Sequence, residues 1–347
     1  MKNPKIVLIA SFMVCVLAVS SAGCASTTQK KVTLTVFQAD SLTTPFDQIA
    51  KEFEKQNPNV TVQREGAGSI DLVKKISEHN RTADVVATAG GFPLDTFLYK
   101  RNLTTWYARF ATNSMVIMYT NKSKYSNEIN TANWYQVLTR PDVQVGRTNP
   151  DLGPVGYRTL LVWQLAEKFY NKPGLYDRLL AQTPAKNVFE REIDEFAPLQ
   201  SGQIDYAWNY KSVALQQNFS YIALPPQINL SDPAYDNLYN TVNVTSAGEQ
   251  VNGSVIEYCI TIPNNAPNPD LAAQFVQFVL GPTGSKIMAD NGQKMLNREI
   301  SRGRLNALQP MQVTGTIPDW LQPFAAPSMM TSATTMSTTR NSTRGGG

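Results

Sequence analysis

Val32-Thr33-Leu34-Thr35-Val36-Phe37-Gln38-Ala39-Asp40-Ser41-Leu42-Thr43-Thr44-Pro45-Phe46 opens the structured part of the chain and decides its class. Over 32–38 the residues alternate with a period of two and are rich in β-branched side chains, which predicts a strand. From Phe46 onward, Phe46, Ile49, Ala50 and Phe53 recur at helical spacing. A strand therefore runs through a Ser-containing turn into a helix. The unit then repeats. Residues 59–65 read as a strand, Gly66-Ala67-Gly68-Ser69 as a turn, and Leu72, Val73 and Ile76 as the inner face of a second helix. A third strand over 83–88 ends in Ala89-Gly90-Gly91. Strands alternating with helices predict an α/β fold with mostly parallel sheets flanked by helices.

The pattern continues along the chain. Residues 110–120 read as one long strand, and 133–138 and 160–170 as helices. The second of these opens after Pro154-Val155-Gly156-Tyr157-Arg158. Strands are expected over 205–209, 221–225 and 255–263, and helices over 210–217, 270–280 and 285–291. Gly281-Pro282 closes the 270–280 helix. Beyond residue 322 the composition is Ser, Thr, Met and Ala without periodicity, which reads as a disordered tail over 322–347.

Lys2 and Lys5 precede an apolar run over 6–19, followed by Ser21-Ala22-Gly23-Cys24. That pattern is an export signal over 1–24. The run is shorter than the roughly 20 apolar residues of a membrane span. Small residues before Cys24 resemble a lipoprotein signal, in which Cys24 becomes the lipid anchor of the mature chain. A plain secretory signal or an uncleaved anchor are the alternatives. All three place the domain outside the cytoplasm.

Of three cysteines, Cys15 falls in the signal, Cys24 is the candidate anchor and Cys259 sits in an apolar strand. The mature domain then has no internal disulfide and no cysteine cluster for a metal. The single histidine, His79, lies at a polar helix end, so His-based catalysis and multi-His metal sites lack partners. The net charge of +4 comes without basic blocks interleaved with aromatics, which argues against nucleic-acid binding. No catalytic residues, bound metal cation or cofactor are expected.

Three turns share one design: Asp40-Ser41-Leu42, Gly68-Ser69-Ile70 and Pro154-Val155-Gly156 each begin a helix. A helix N-terminus offers free N–H donors at the positive end of its dipole. Three such ends at the carboxyl edges of the sheets would form a neutral anion cage. Taken singly, Ser41 and Ser69 read as ordinary helix caps.

A longer pattern joins these turns. Ala39-Asp40-Ser41-Leu42 with Pro45-Phe46, Gln63-Arg64-Glu65-Gly66-Ala67-Gly68-Ser69, Phe110-Ala111-Thr112-Asn113, Gly156-Tyr157-Arg158, Tyr210-Lys211-Ser212-Val213-Ala214 and Ile260-Thr261-Ile262-Pro263-Asn264-Asn265 are collinear elements of it. From about Val32 to Leu321 the chain resembles the archaeal molybdate/tungstate-binding proteins of ABC importers, in the periplasmic solute-binding superfamily. The resemblance implies a two-lobed, type II periplasmic-binding-protein-like fold with an interlobe ligand cleft. Lobe one would comprise 32–115 and 245–321, and lobe two 116–244. The hinge strands would lie at 110–120 and near 243–258. It implies an oxyanion held by Ser41 and Ser69, by the N–H groups of Val155 and Gly156, and by the Tyr210 hydroxyl. It also implies an ABC permease with its ATPase as partner, membrane attachment through the lipid, and a monomer.

The chain departs from the family at named positions. Gly153 and Asn209 stand where members carry carboxylates that would widen the metal's coordination, so a tetrahedral anion held by hydrogen bonds is expected. Asp40 replaces a glycine. It reads either as a surface residue or as an inward carboxylate that repels a dianion or accepts a proton from hydrogen phosphate. Arg147, Asp151, Arg158 and Lys211 read as solvated or structural, with Arg158 in a salt bridge on its own helix. Sulfate, phosphate or another small anion, and a non-transporting surface sensor, remain alternative readings.

Overall fold

Strand β1 (Val32–Ala39) runs parallel to β2 (Val60–Ala67) on one side and β3 (Val85–Thr88) on the other. The computed structural model describes residues 31–296 and 312–324. The expected signal, Cys24 and the tail beyond residue 324 lie outside the described residues. β1 carries the core of the first half, with Leu34, Val36 and Phe37 fully buried.

The helix after β1, α1 (Thr43–Gln56), buries Phe46, Ile49, Ala50 and Phe53 on one face. Its other face carries the Lys51–Asp47 and Lys55–Glu52 ion pairs. Phe53 meets Phe275 edge-on at 5.2 Å, which joins α1 to a late helix of the chain, Pro269–Leu280. Such a ring pair adds about 0.5–1.5 kcal/mol beyond its buried area.

The first sheet also contains β4 (Trp106–Thr112), and a second sheet begins with β5 (Met115–Tyr119), β6 (Val145–Thr148), β7 (Val188–Phe189), β8 (Tyr206–Tyr210) and β9 (Ser220–Ala223). The strands β10 (Asn243–Ser246) and β11 (Glu249–Asn252) form a separate ribbon. The chain returns to the first sheet through β12 (Glu257–Thr261), β13 (Lys294–Met295) and β14 (Gln312–Gly315). The first sheet has the order β13-β4-β12-β3-β1-β2 with β14 on β4, and the second β7-β6-β8-β5-β9.

Both sheets are mixed where mostly parallel ones were expected. β12 is antiparallel to β3 and β4, and β5 is antiparallel to β8 and β9. The antiparallel strands are the ones that carry the chain from one half to the other, so they cannot share the direction of strands built from strand–helix units.

The expected single strand over 110–120 is two strands in different sheets, broken at Asn113-Ser114. The Asn113 amide explains the break. Its oxygen accepts from Ser114 N at 2.9 Å, while its nitrogen donates to Ser212 Oγ at 2.7 Å and Tyr258 Oη at 3.0 Å. On the way back, Ser246 Oγ donates to Pro150 O at 2.6 Å and Asp151 accepts from Ala247 N at 2.7 Å. The ribbon is therefore tied to the second half.

The second half packs around Trp134, Trp163 and Trp208, all fully buried, with the Trp134 and Trp208 rings 5.3 Å apart. These indoles are core and cannot stack on a sugar. Trp163 belongs to the helix Pro154–Phe169, which packs against the ribbon, is opened by Pro at its first turn and is buried on nearly every side. Its pattern is apolar all round, as expected of a helix with neighbours on both faces.

Candidate functional site

The carboxyl ends of four strands deliver the candidate residues: Ser41 follows β1, Ser69 follows β2, Ala89 and Gly90 follow β3, and Tyr210 ends β8. This is where open α/β sheets bind ligands.

Neither serine is a helix cap. Ser69 is the first residue of its helix, α2 (Ser69–Ser77), and its Oγ accepts the Ala89 N–H at 3.0 Å. Its own proton is left to donate. Ser41 lies in the turn Asp40–Leu42, is 1% exposed, and its Oγ has no hydrogen-bond partner, although it sits beside the Tyr258 hydroxyl. A buried hydroxyl in that condition costs about 1–3 kcal/mol.

The helix N-termini are less open than the sequence suggested. Ile70 and Asp71 donate to Leu152 O, from the other half, at 3.1 and 3.3 Å. Gly68 and Gly153 meet there. A Cβ on Gly68 would lie 2.2 Å from Leu152 O, and one on Gly153 would lie 3.2 Å from Gly68 Cα. Gly153, considered above as a lost carboxylate, is a point of backbone contact between the halves. The Gly156 N–H donates to Gly153 O at 3.2 Å, so it is occupied within its own turn. Val155, the second residue of the helix, is buried, and its N–H has no intrahelical carbonyl to bond.

Arg158 is the main surprise. It is 4% exposed and forms no salt bridge on its helix. Its Nη1 donates to Ala89 O at 2.6 Å and to Tyr210 Oη at 2.5 Å, and no carboxylate lies within ion-pair distance among the described residues. Ser69, Ala89, Arg158 and Tyr210 are thus linked in one chain of contacts across both halves. The Tyr210 and Tyr258 rings, 6.2 Å apart, extend it to Ser41. Burial pushes the Tyr210 phenol well above its usual range and that of Tyr258 up to about 12, so both remain proton donors. The Arg158 signal was present in the sequence: a lone charge inside Tyr157-Arg158-Thr159-Leu160-Leu161-Val162-Trp163.

Asp40 is neither a surface residue nor a free inward carboxylate. Its Oδ1 accepts from Arg191 Nη2 at 2.7 Å, pairing the first half with the second. The Asn209 amide is a brace: its nitrogen donates to Glu195 Oε1 at 2.5 Å and its oxygen accepts from Tyr210 N at 2.7 Å. Glu195 therefore sets a carboxyl beside Asn209. Lys211 faces away, over the Tyr221 ring at 5.9 Å. Among the described residues no group of His, Cys, Asp and Glu is arranged to hold a metal ion.

A cavity of about 560 Å³ opens on the other side of Arg158, lined in part by Tyr107, Tyr157, Asp236 and the Arg109–Glu257 ion pair. It reaches Arg158 without touching Ser41, Ser69 or Tyr210.

Comparison with known proteins bears on the family and the fold. Residues 34–294 match the model of the family described as bacterial extracellular solute-binding protein. An uncharacterised solute-binding protein of Petrotoga mobilis is 44% identical, over 76% of this chain and 84% of its own. The molybdate/tungstate-binding protein WtpA of Thermococcus kodakarensis is 36% identical, over 88% of this chain and 94% of its own. Among solved structures, the periplasmic molybdate-binding protein of Azotobacter vinelandii aligns with a TM-score of 0.57 at 17% identity, covering 75% of this chain and 98% of that one. The sulfate-binding protein SubI of Mycobacterium tuberculosis aligns at 0.55 and 14% identity, covering 85% and 92%. At these identities the structures establish the fold, that of type II periplasmic binding proteins.

Proposed function

The chain belongs to the bacterial extracellular solute-binding protein family, a family of binders and not enzymes, and from that premise we propose that it captures molybdate or tungstate between its two halves and delivers it to an ABC permease. The observation that carries the anion is Arg158, a buried cation with no carboxylate against it. A buried charge is costly unless paired, and an anion arriving at the cleft supplies the missing partner.

The donors around it suit a small oxyanion. The Ser41 and Ser69 hydroxyls, the Tyr210 phenol and the Val155 N–H each have a proton to offer. Gly156 helps by shape: a Cβ there would lie 2.5 Å from Asn149, so only glycine lets the 149–150 loop close on the helix start. Gly153 and Asn209 bring no carboxylate, which favours a tetrahedral anion. The choice of molybdate or tungstate leans on the name of the Thermococcus kodakarensis relative. The division into lobes, with crossings at Asn113-Ser114 and after Asn252, supplies the hinge. A lipid on Cys24 would tether the protein at the outer membrane face beside its permease.

Calorimetric titration with tungstate, molybdate, sulfate and phosphate tests the reading. One-to-one binding of tungstate or molybdate, weakened by Ser41→Ala with Ser69→Ala by about 3–6 kcal/mol, is expected, since each lost hydrogen bond to a charged group costs about 1.5–3 kcal/mol. Preference for sulfate or phosphate would move the ligand and keep the fold. No heat with any of the four would refute oxyanion capture.

A further inference from the structure

Glu192 and Glu195 lie on one short turn, Glu192–Glu195, that packs against the Asp40–Leu42 turn from across the cleft. Neither acid was singled out in the sequence, where they stand in Glu190-Arg191-Glu192-Ile193-Asp194-Glu195. Glu192 is nonetheless only 8% exposed, and its Oε2 has no hydrogen-bond partner. Its surroundings are those of the anion site. Arg158, Tyr210, Tyr258 and Asp40 all lie within electrostatic reach of its carboxyl. The orphaned Ser41 Oγ sits against the same Tyr258. Two buried polar atoms without partners, on opposite halves and facing one cluster, mark a polar space that a ligand completes.

The charges facing Glu192 can be counted. Arg191 is engaged by Asp40 at 2.7 Å, so that pair is neutral. Glu195 is turned to Asn209, and Tyr210 and Tyr258 are neutral phenols. Arg158 remains as one uncompensated positive charge. A dianion neutralises it and leaves one negative charge in excess. An ionised Glu192 would add a second negative charge in a buried space, whereas a protonated Glu192 presents an O–H donor to the anion.

Building on the oxyanion reading, we infer that Glu192 is a wall of the anion site and binds the ligand in its protonated form, so that capture of a dianion is coupled to a proton. Burial, with Asp40 and Glu195 adding to it, already holds this carboxyl well above the usual carboxylate range in the free protein. The bound dianion raises it further. Affinity is then constant while Glu192 is protonated in the free protein. It falls by up to about tenfold per pH unit once the pH passes the free-protein value. The coupling favours capture on the acidic side and release on the alkaline side, and it selects anions that accept hydrogen bonds at every oxygen.

Tungstate is titrated calorimetrically between about pH 6 and about pH 9, in buffers of differing ionisation enthalpy, on the wild type, Glu192→Gln and Glu195→Gln. The expected result is an affinity that declines with pH in the wild type, with proton uptake approaching one per anion at the alkaline end. Glu192→Gln, a permanent neutral donor, should show a flat profile and no uptake, and Glu195→Gln should keep the slope. A flat wild-type profile without uptake overturns the proton coupling even if tungstate binds tightly. So does a slope that survives Glu192→Gln or disappears with Glu195→Gln. Zero proton uptake by the wild type overturns the coupling even if a variant does not fold. Absence of binding by tungstate, molybdate, sulfate and phosphate at every pH would instead refute the oxyanion reading, and this inference with it.

Discussion

Replacing Gly68 by alanine should weaken ligand capture while leaving each half of the protein intact. Gly68 has φ −57° and ψ 138°, a conformation open to any residue, so alanine brings no backbone strain. Its Cβ would, however, lie 2.2 Å from the Leu152 carbonyl oxygen across the cleft. Ordinary van der Waals contact requires the halves to part there by about 1 Å. That movement breaks the bonds from Ile70 N and Asp71 N to Leu152 O, at 3.1 and 3.3 Å. At about 0.5–1.5 kcal/mol each, the juxtaposed state loses roughly 1–3 kcal/mol, or about 5- to 150-fold in ligand affinity. Thermal unfolding without ligand should be unchanged or slightly raised, because alanine restricts the unfolded chain. Gly153→Ala is the internal comparison: its Cβ would lie 3.2 Å from Gly68 Cα, a much smaller intrusion with a smaller loss. Calorimetry gives the affinity, and small-angle scattering with and without tungstate gives the approach of the halves. If Gly68→Ala binds like the wild type and still contracts, the Gly68–Leu152 contact is not part of the ligand-bound state and the reasoning fails.

Arg158→Met should separate binding from folding. It removes the buried cation at similar volume, so ligand-free stability should shift by no more than about 1–2 kcal/mol, because the desolvation relieved offsets the hydrogen bonds lost. Tungstate affinity should fall by about 2–5 kcal/mol; an equal loss of stability and affinity in melting and titration would make Arg158 a structural residue only. Burial raises the Glu195 carboxyl from 4.5 to about 8, so the native state keeps a proton that the unfolded chain releases. Its contribution to stability is complete below about pH 4.5 and is lost as the pH rises to about 8, at up to about 1.4 kcal/mol per pH unit. Glu195→Gln should remove that slope from denaturant unfolding measured across the window; an unchanged slope would mean that Glu195 is not buried as a neutral acid.

The strand–turn–helix units were legible because their periods are local: Phe46, Ile49, Ala50 and Phe53 declare α1 whatever surrounds it. Ser41 and Ser69 became candidates through three like turns taken together, and Tyr210 only through the long collinear pattern, since a serine after a strand is commonplace. The break at Asn113-Ser114 was not legible, because the apolar run continues on both sides of it. Its cause is an amide bonded to residues 99 and 145 positions away. Arg158 was misread, and Glu192 passed over, for a related reason. The groups that bury and surround them, Ala89 and Tyr210 for the first and Asp40 for the second, lie in distant segments or in the opposite half. A sequence displays what each half needs for its own core, but not what one half presents to the other. On the proposed reading solute binding is decided at that junction, where a cation, two phenols and a carboxyl from separate segments acquire a common charge balance. The side chains hardest to read from the chain are therefore the ones expected to set which anion is held, and at what pH it is let go.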